Sequence, residues 1–318
     1  MWIPTVAVRS MWSMSDRPSI RAPLAMTKMP GRSESLTSSP DCPLPIMEPG
    51  CPDVLLAYTA SSREGGTQHM DIETAPTAIA DADWQARVDL AAVYRLLSHH
   101  GWGDVIFNHA AMRSPSNPRR FLIKRHELLY TEVTASNLVE VSMDDDLDER
   151  SGVNRPGFTL HSGVLRGRPD VNCSVHVHPE EGVALSGLKH GLRMLSQSAM
   201  RFYQRVGYHD YEGLTDGFEE RERIVAALGK NRALIMRHHG ITTVGATARE
   251  AFSLMKEFVR AARIQLMMES SGQPVLEIAP ETCERVAAQY EHHDRGRASA
   301  EWPAYLRLLD SIDRSYRD

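Results

Sequence analysis

Cysteine is scarce in this chain. Only four occur in 318 residues, Cys42, Cys51, Cys173 and Cys283, and no two of them stand at CxxC spacing. That excludes a disulfide framework or a thiolate zinc knuckle and fits a reduced compartment, with Cys173 as a small apolar filler in a buried strand. Long apolar runs are missing too: no stretch of about eighteen such residues is present to span a bilayer. The N-terminus lacks the basic-then-apolar order of a signal peptide, so the expected setting is cytoplasmic. Positive charge is not in excess either, since 36 Lys and Arg stand against 41 Asp and Glu, a net charge of −5. Neither nucleic acid nor a membrane surface is implied as a partner.

Helical periodicity is absent from the first eighty residues. Met, Ser, Pro and Thr are frequent there, and Pro40, Pro43, Pro45, Pro49 and Pro52 fall close together. Residues 1–80 read as a disordered tail or an overlong start, with Met26, Met29, Met47 and Met70 as alternative beginnings. From Asp83 the pattern changes. Leu90, Val93, Tyr94 and Leu97 recur at helical spacing until Gly101. Strands are expected over 105–112, 121–124 and 137–142, ahead of the acidic loop Asp144 to Glu149, which reads as a solvated turn or a hard-cation site. Pro156 opens a helix that carries His161. Further helices are expected over 181–188, 195–206, 216–228 and 281–290, and Thr247-Ala-Arg-Glu250 is a capping box for a long one. Aromatic residues near the C-terminus, Trp302, Tyr305 and Tyr316, are expected to be docked. Interleaved helices and strands of this kind define one α/β domain over residues 81–318.

Two apolar strands in that domain end in histidine. In Cys173-Ser-Val-His-Val-His-Pro-Glu-Glu-Gly182, strand alternation sends His176 and His178 to one face, within reach of one metal ion. In Ala233-Leu-Ile-Met-Arg-His-His-Gly-Ile-Thr-Thr-Val-Gly245, His239 supplies a third imidazole, while His238 is expected on the opposite face. Three neutral imidazoles leave positions open on an ion, which marks a catalytic rather than a closed structural site. Zinc is the first choice of divalent metal, and iron, manganese and cobalt are also compatible.

His-Val-His after Arg-Pro-Asp-Val, and His-His-Gly-Ile ahead of a capped helix, closely resemble the class II aldolase/adducin family. Phe158-Thr-Leu-His-Ser162, Tyr208-His-Asp-Tyr-Glu-Gly213 and Leu306-Arg-Leu-Leu-Asp310 resemble its bacterial adducin-head-like branch. The resemblance implies a three-layer α/β/α sandwich around a mixed, largely antiparallel sheet, assembled as a homotetramer. It also implies one divalent metal on His176, His178 and His239. In fuculose-phosphate-aldolase-like members a glutamate acid/base precedes the first ligand by nineteen residues, and here that place is Gly157. The phosphate-holding serines fall on Arg155 and Pro156, and the threonine-glycine loop near Leu128 and Leu129, which argues against a phosphorylated sugar. Asn108 matches a substrate-side position, and Arg155 is a candidate carboxylate anchor.

A metal so held polarises a carbonyl and stabilises an enolate. With the glutamate missing, proton transfer falls to His161, Tyr211 or Glu212, with Glu181 and His209 as further candidates. His161 is favoured because its helix follows directly on Gly157. The expected function is a metal-dependent lyase of aldolase or decarboxylase type, acting on a small unphosphorylated hydroxy-carbonyl or carboxylated substrate. A non-haem iron oxygenase on the same scaffold and a non-catalytic adducin-head-like binding module are the alternatives.

Overall fold

The computed structural model describes residues 74–213, 217–296 and 300–318; the expected tail falls outside the described residues up to position 73. Helix α1 (Thr74–His99) begins upstream of Asp83 and buries the stripe formed by Leu90, Val93, Tyr94 and Leu97. Strands β1 (His109–Arg113), β2 (Arg120–Ile123) and β3 (Val139–Ser142) follow as an antiparallel meander. Asp144 to Glu149 is a surface turn, with Asp144 paired to Arg119 and Asp148 capping the short turn of helix over 149–151.

Helix α2 (Arg155–Gly167) starts where Asn154 caps it, the side chain accepting from Gly157 N at 3.0 Å, with Pro156 in the first turn. Then come β4 (Cys173–Val177), α3 (Glu180–Ser186), the single turn α4 (Gln197–Met200), β5 (Val206–His209), α5 (Phe218–Leu228), β6 (Ala233–Met236) and β7 (Gly240–Gly245). Helices α6 (Ala248–Ser270), α7 (Pro280–Gly296) and α8 (Glu301–Ile312) complete the chain. Thr247 caps α6 by accepting from Glu250 N.

The seven strands form one sheet in the order β3-β2-β1-β4-β7-β6-β5, antiparallel throughout except for the parallel β5/β6 pair. One face carries α1, α6 and α3 over a core that includes Ala110, Leu122, Val175, Ile235, Ile241 and Phe258. The other carries α2 and α5 over Ala111, Phe121, Phe158, Leu160, Leu234 and Val244. This is the α/β/α sandwich with a mixed, largely antiparallel sheet. No helix among the described residues is long and apolar enough to cross a membrane.

Three local expectations are corrected. The helix over 195–206 is reduced to α4, because Gln204 takes a left-handed φ of 55° that ends helical winding before Val206 enters the sheet. Part of the expected loop 208–213 is therefore strand: Tyr208 and His209 pair with Ile235 and Met236. The second strand does not reach its histidines: β6 stops at Met236, and the stretch 233–245 is a hairpin. His238 supplies the reversal at a φ of 56°, and β6 and β7 pair on either side of Arg237-His238-His239. The aromatic tail is docked as expected, with Tyr316 fully buried and the Trp302 indole N–H donating to Asp89 at 3.3 Å.

Candidate metal centre

Strand β4 is covered on both faces, so its alternation divides its side chains between two interiors. Cys173, Val175 and Val177 join the core under α1 and α6, whereas Ser174 meets His161 of α2 on the other side. His176 shares that second face and lies opposite His109 of β1 and Thr242 of β7. Its Nδ1 is 3.0 Å from Thr242 Oγ1, and that hydroxyl donates to Met236 Sδ at 3.7 Å. The Thr242 contact anchors the imidazole through Nδ1 and leaves Nε2 turned toward His178.

His178 follows the end of β4, its Nε2 2.8 Å from His176 Nε2, and His239 comes in from the β6–β7 turn. Ring centroids of the three are 4.6 to 4.9 Å apart. One ring nitrogen from each lies within 4.8 Å of the others. Burial holds His176 well below the ordinary imidazole range, and the charges of His178 and His239 push the same way. His178 is lowered to about 4 by burial and then by His239, and His239 is lowered by burial and then by His209. All three are thus neutral near pH 7, the form that ligates. Three converging neutral imidazoles are a donor set that fits a divalent ion of the zinc or iron type.

The three histidines line a cavity of about 260 Å³, together with Asn108, His109 and Tyr211. Asn108, held at a φ of 62°, donates from Nδ2 to Trp102 O at 3.2 Å, while its buried Oδ1 has no partner among the described residues. A buried acceptor left in that state costs about 1–3 kcal/mol unless something else donates to it. Tyr211 is half exposed at the cavity wall, its ring 6.4 Å from that of His239.

The remaining expected site residues lie elsewhere. His161 is fully buried and does not line the cavity. It bonds His109 Nδ1 through Nε2 and Ser174 Oγ through Nδ1, each at 2.9 Å, and burial lowers it to about 3. Arg155, at the first position of α2, is exposed and outside the cavity lining, although Asn154 and Pro156 on either side of it do line it. Glu212 turns away to Arg223, with Oε2 accepting at 2.8 Å, which holds its carboxyl below the usual range. Glu181 pairs with Arg263 and His209 with Glu220. His238 is exposed at the turn, outside the lining.

Sequence reasoning missed His109. Its ring stacks on His176 at 5.1 Å between centroids and takes the space a side chain at position 157 would need. A β-carbon on Gly157 would lie 2.7 Å from His109 Cδ2. The signal was Asn108-His109 at the start of a short strand, and only the β1–β4 register turns it into a site.

Comparison with known proteins agrees with this geometry. The pattern of the Class II Aldolase and Adducin N-terminal domain matches residues 88–266. A Caulobacter vibrioides protein named provisionally as an aldolase class 2 protein is 40% identical over 243 residues, which are 76% of this chain and 95% of that protein. Rat alpha-adducin is 43% identical over 194 residues, 59% of this chain but 26% of the adducin. The crystal structure of an aldolase II superfamily protein from Pseudomonas syringae superposes with a TM-score of 0.68 at 33% identity, covering 77% of this chain and 99% of that one. The chain belongs to the class II aldolase/adducin family.

Proposed function

We propose that this protein is a metal-dependent lyase of the aldolase or decarboxylase type, acting on a small, unphosphorylated hydroxy-carbonyl or carboxylated compound. The observation that carries the reading is the convergence of His176, His178 and His239 on one cavity wall, beside the unpartnered Asn108 Oδ1. A divalent ion held there would supply Lewis-acid polarisation of a carbonyl oxygen. Zinc is the first choice, with iron, manganese and cobalt also suited to the ligands.

The chain's own residues divide the remaining work. Asn108 Oδ1 accepts from a substrate hydroxyl and fixes its orientation. Tyr211, the one expected proton-transfer candidate that lines the cavity, moves the proton at its phenolic oxygen. His161 acts only through His109. The exposed position of Arg155 makes it at most an outer anchor for an anionic group. A homotetramer in the cytoplasm is the assembly and setting this reading includes.

The test is to purify the protein without chelators, measure bound metal by elemental mass spectrometry and assembly mass by light scattering, and then screen hydroxy-carbonyl acids for cleavage. About one zinc, manganese or cobalt per subunit with cleavage supports the reading, and iron with oxygen uptake would replace it by an oxygenase. The alpha-adducin likeness favours a second reading, a binding module without turnover; no metal after reconstitution would move the assignment there.

A further inference from the structure

Behind the cavity wall lies a chain of three side chains through which His161 bears on His109. Ser174 Oγ is 2.9 Å from His161 Nδ1, and His161 Nε2 is 2.9 Å from His109 Nδ1. Ser174 and His161 have no solvent exposure, and His109 is 8% exposed, at the cavity. The two rings meet edge-on, with planes 84° apart and centroids 4.8 Å apart. Among the described residues no acidic side chain joins the three, so they carry no compensated charge.

Only two arrangements of protons satisfy both contacts with neutral rings. In one, the Ser174 hydroxyl donates to His161 Nδ1, His161 Nε2–H donates to His109 Nδ1, and His109 keeps its proton on Nε2. In the other every arrow is reversed. His109 Nδ1–H donates to His161 and His161 Nδ1–H donates to Ser174, while His109 Nε2 is bare. The second arrangement strands the Ser174 O–H, because that hydroxyl makes no other hydrogen bond among the described residues and is wholly buried. An unsatisfied buried donor is disfavoured enough to decide between two otherwise equal patterns.

We propose that Ser174 and His161 are positioning residues that lock His109 in the Nε2–H tautomer, so that His109 presents a neutral N–H donor to a substrate oxygen in the cavity. The site therefore selects a ligand with an acceptor oxygen, a carbonyl or hydroxyl, where His109 lines the cavity. The lock also limits what His109 does. If its Nε2 proton left for good, refilling the ring would draw one proton from His161 and another from Ser174, leaving a buried alkoxide. The chain accordingly donates a hydrogen bond and does not deliver a proton, which leaves proton transfer to another group. This inference rests on the cavity being the substrate site, but the tautomer itself does not depend on metal.

The experiment is nitrogen-15 NMR of the full-length protein labelled at histidine, metal-free and zinc-loaded, with the His109 ring assigned by its loss in His109→Asn. The expected spectrum shows a protonated Nε2 and a bare, hydrogen-bonded Nδ1. Ser174→Ala should let the reversed tautomer appear alongside it, and Ser174→Thr should restore the single form. Glycolate serves as the binding probe: His109→Asn should weaken its binding to zinc-loaded protein about tenfold while zinc stoichiometry is unchanged. A bare Nε2 in the wild type, a spectrum indifferent to Ser174→Ala, or unchanged glycolate affinity in His109→Asn would overturn the proposal. Failure to hold zinc would instead overturn the metal reading, while the tautomer result stands or falls in the metal-free protein.

Discussion

Gly240 lies so close to His178 that a β-carbon on it would sit 2.7 Å from His178 Cδ2, and 2.7 Å from the carbonyl oxygen of Val177. Strand pairing fixes the carbonyl, so in Gly240→Ala the imidazole must move. Since groups that hold a ligating ring in place are each worth about ten- to a hundredfold in metal affinity, zinc affinity should fall by about tenfold or more. Competition with a zinc-sensitive dye would measure it, and unchanged affinity would show that His178 does not depend on this contact.

Removing a ligand outright should have a larger effect. His176→Ala and His239→Ala are expected to take bound metal from about one per subunit to near zero, leaving the circular dichroism spectrum close to wild type. Full metal retention in both variants would refute the ligand assignment.

Acid should weaken the fold through the buried histidines. An unfolded chain protonates histidine near pH 6.5, whereas His161 in the folded protein does so only at about 3, because burial disfavours its charged form. Between those values the unfolded chain binds the additional proton. Stability is therefore fully present above about pH 6.5 and falls as the pH drops toward 3, by up to about 1.4 kcal/mol per pH unit for one such group. His161→Gln should start less stable and follow a flatter curve in urea unfolding at successive pH values. An equally steep curve would mean that other groups carry the acid sensitivity.

Tyr316 is fully buried, and its hydroxyl donates to Asp310 at 2.9 Å. Truncating a buried aromatic costs about 3–5 kcal/mol, and Tyr316→Ala should fall near the lower figure because this ring sits near a chain end. Denaturant unfolding tests this, and a loss under about 1 kcal/mol would mark the segment as loosely attached.

Residues 1–69 are proposed to be dispensable. Deleting them should leave the midpoint of thermal unfolding and the metal content unchanged, whereas a marked drop in either would make them part of the domain.

Much of this architecture could be read from residues alone. His176 and His178 announced themselves as polar side chains in a β-branched run, and Pro156 and the capping box Thr247-Ala-Arg-Glu250 marked two helix starts. What failed to show depended on distance along the chain. His109 becomes a site residue only because β1 pairs with β4 in a register that sets it opposite His176. Glu212 looked available from its neighbours, yet it is drawn to Arg223, on a helix that the loop merely precedes. The hairpin over 233–245 was hidden because left-handed backbone at His238 has no glycine to advertise it.

Residues 313–318 also hold helix α1 and the loop ahead of β3 in place. Ala135 N donates to Tyr316 O at 3.0 Å and Ser136 N to Asp318 O at 2.8 Å, while Arg95 of α1 reaches Asp313 at 2.8 Å and Ser315 at 2.9 Å. Helix α1 is thus clasped by residues 313–318, which lie some 218 positions further along the chain. They are made only after α1 and the histidine strands, so the clasp closes late in synthesis and the apolar face of α1 that it secures has to wait for it.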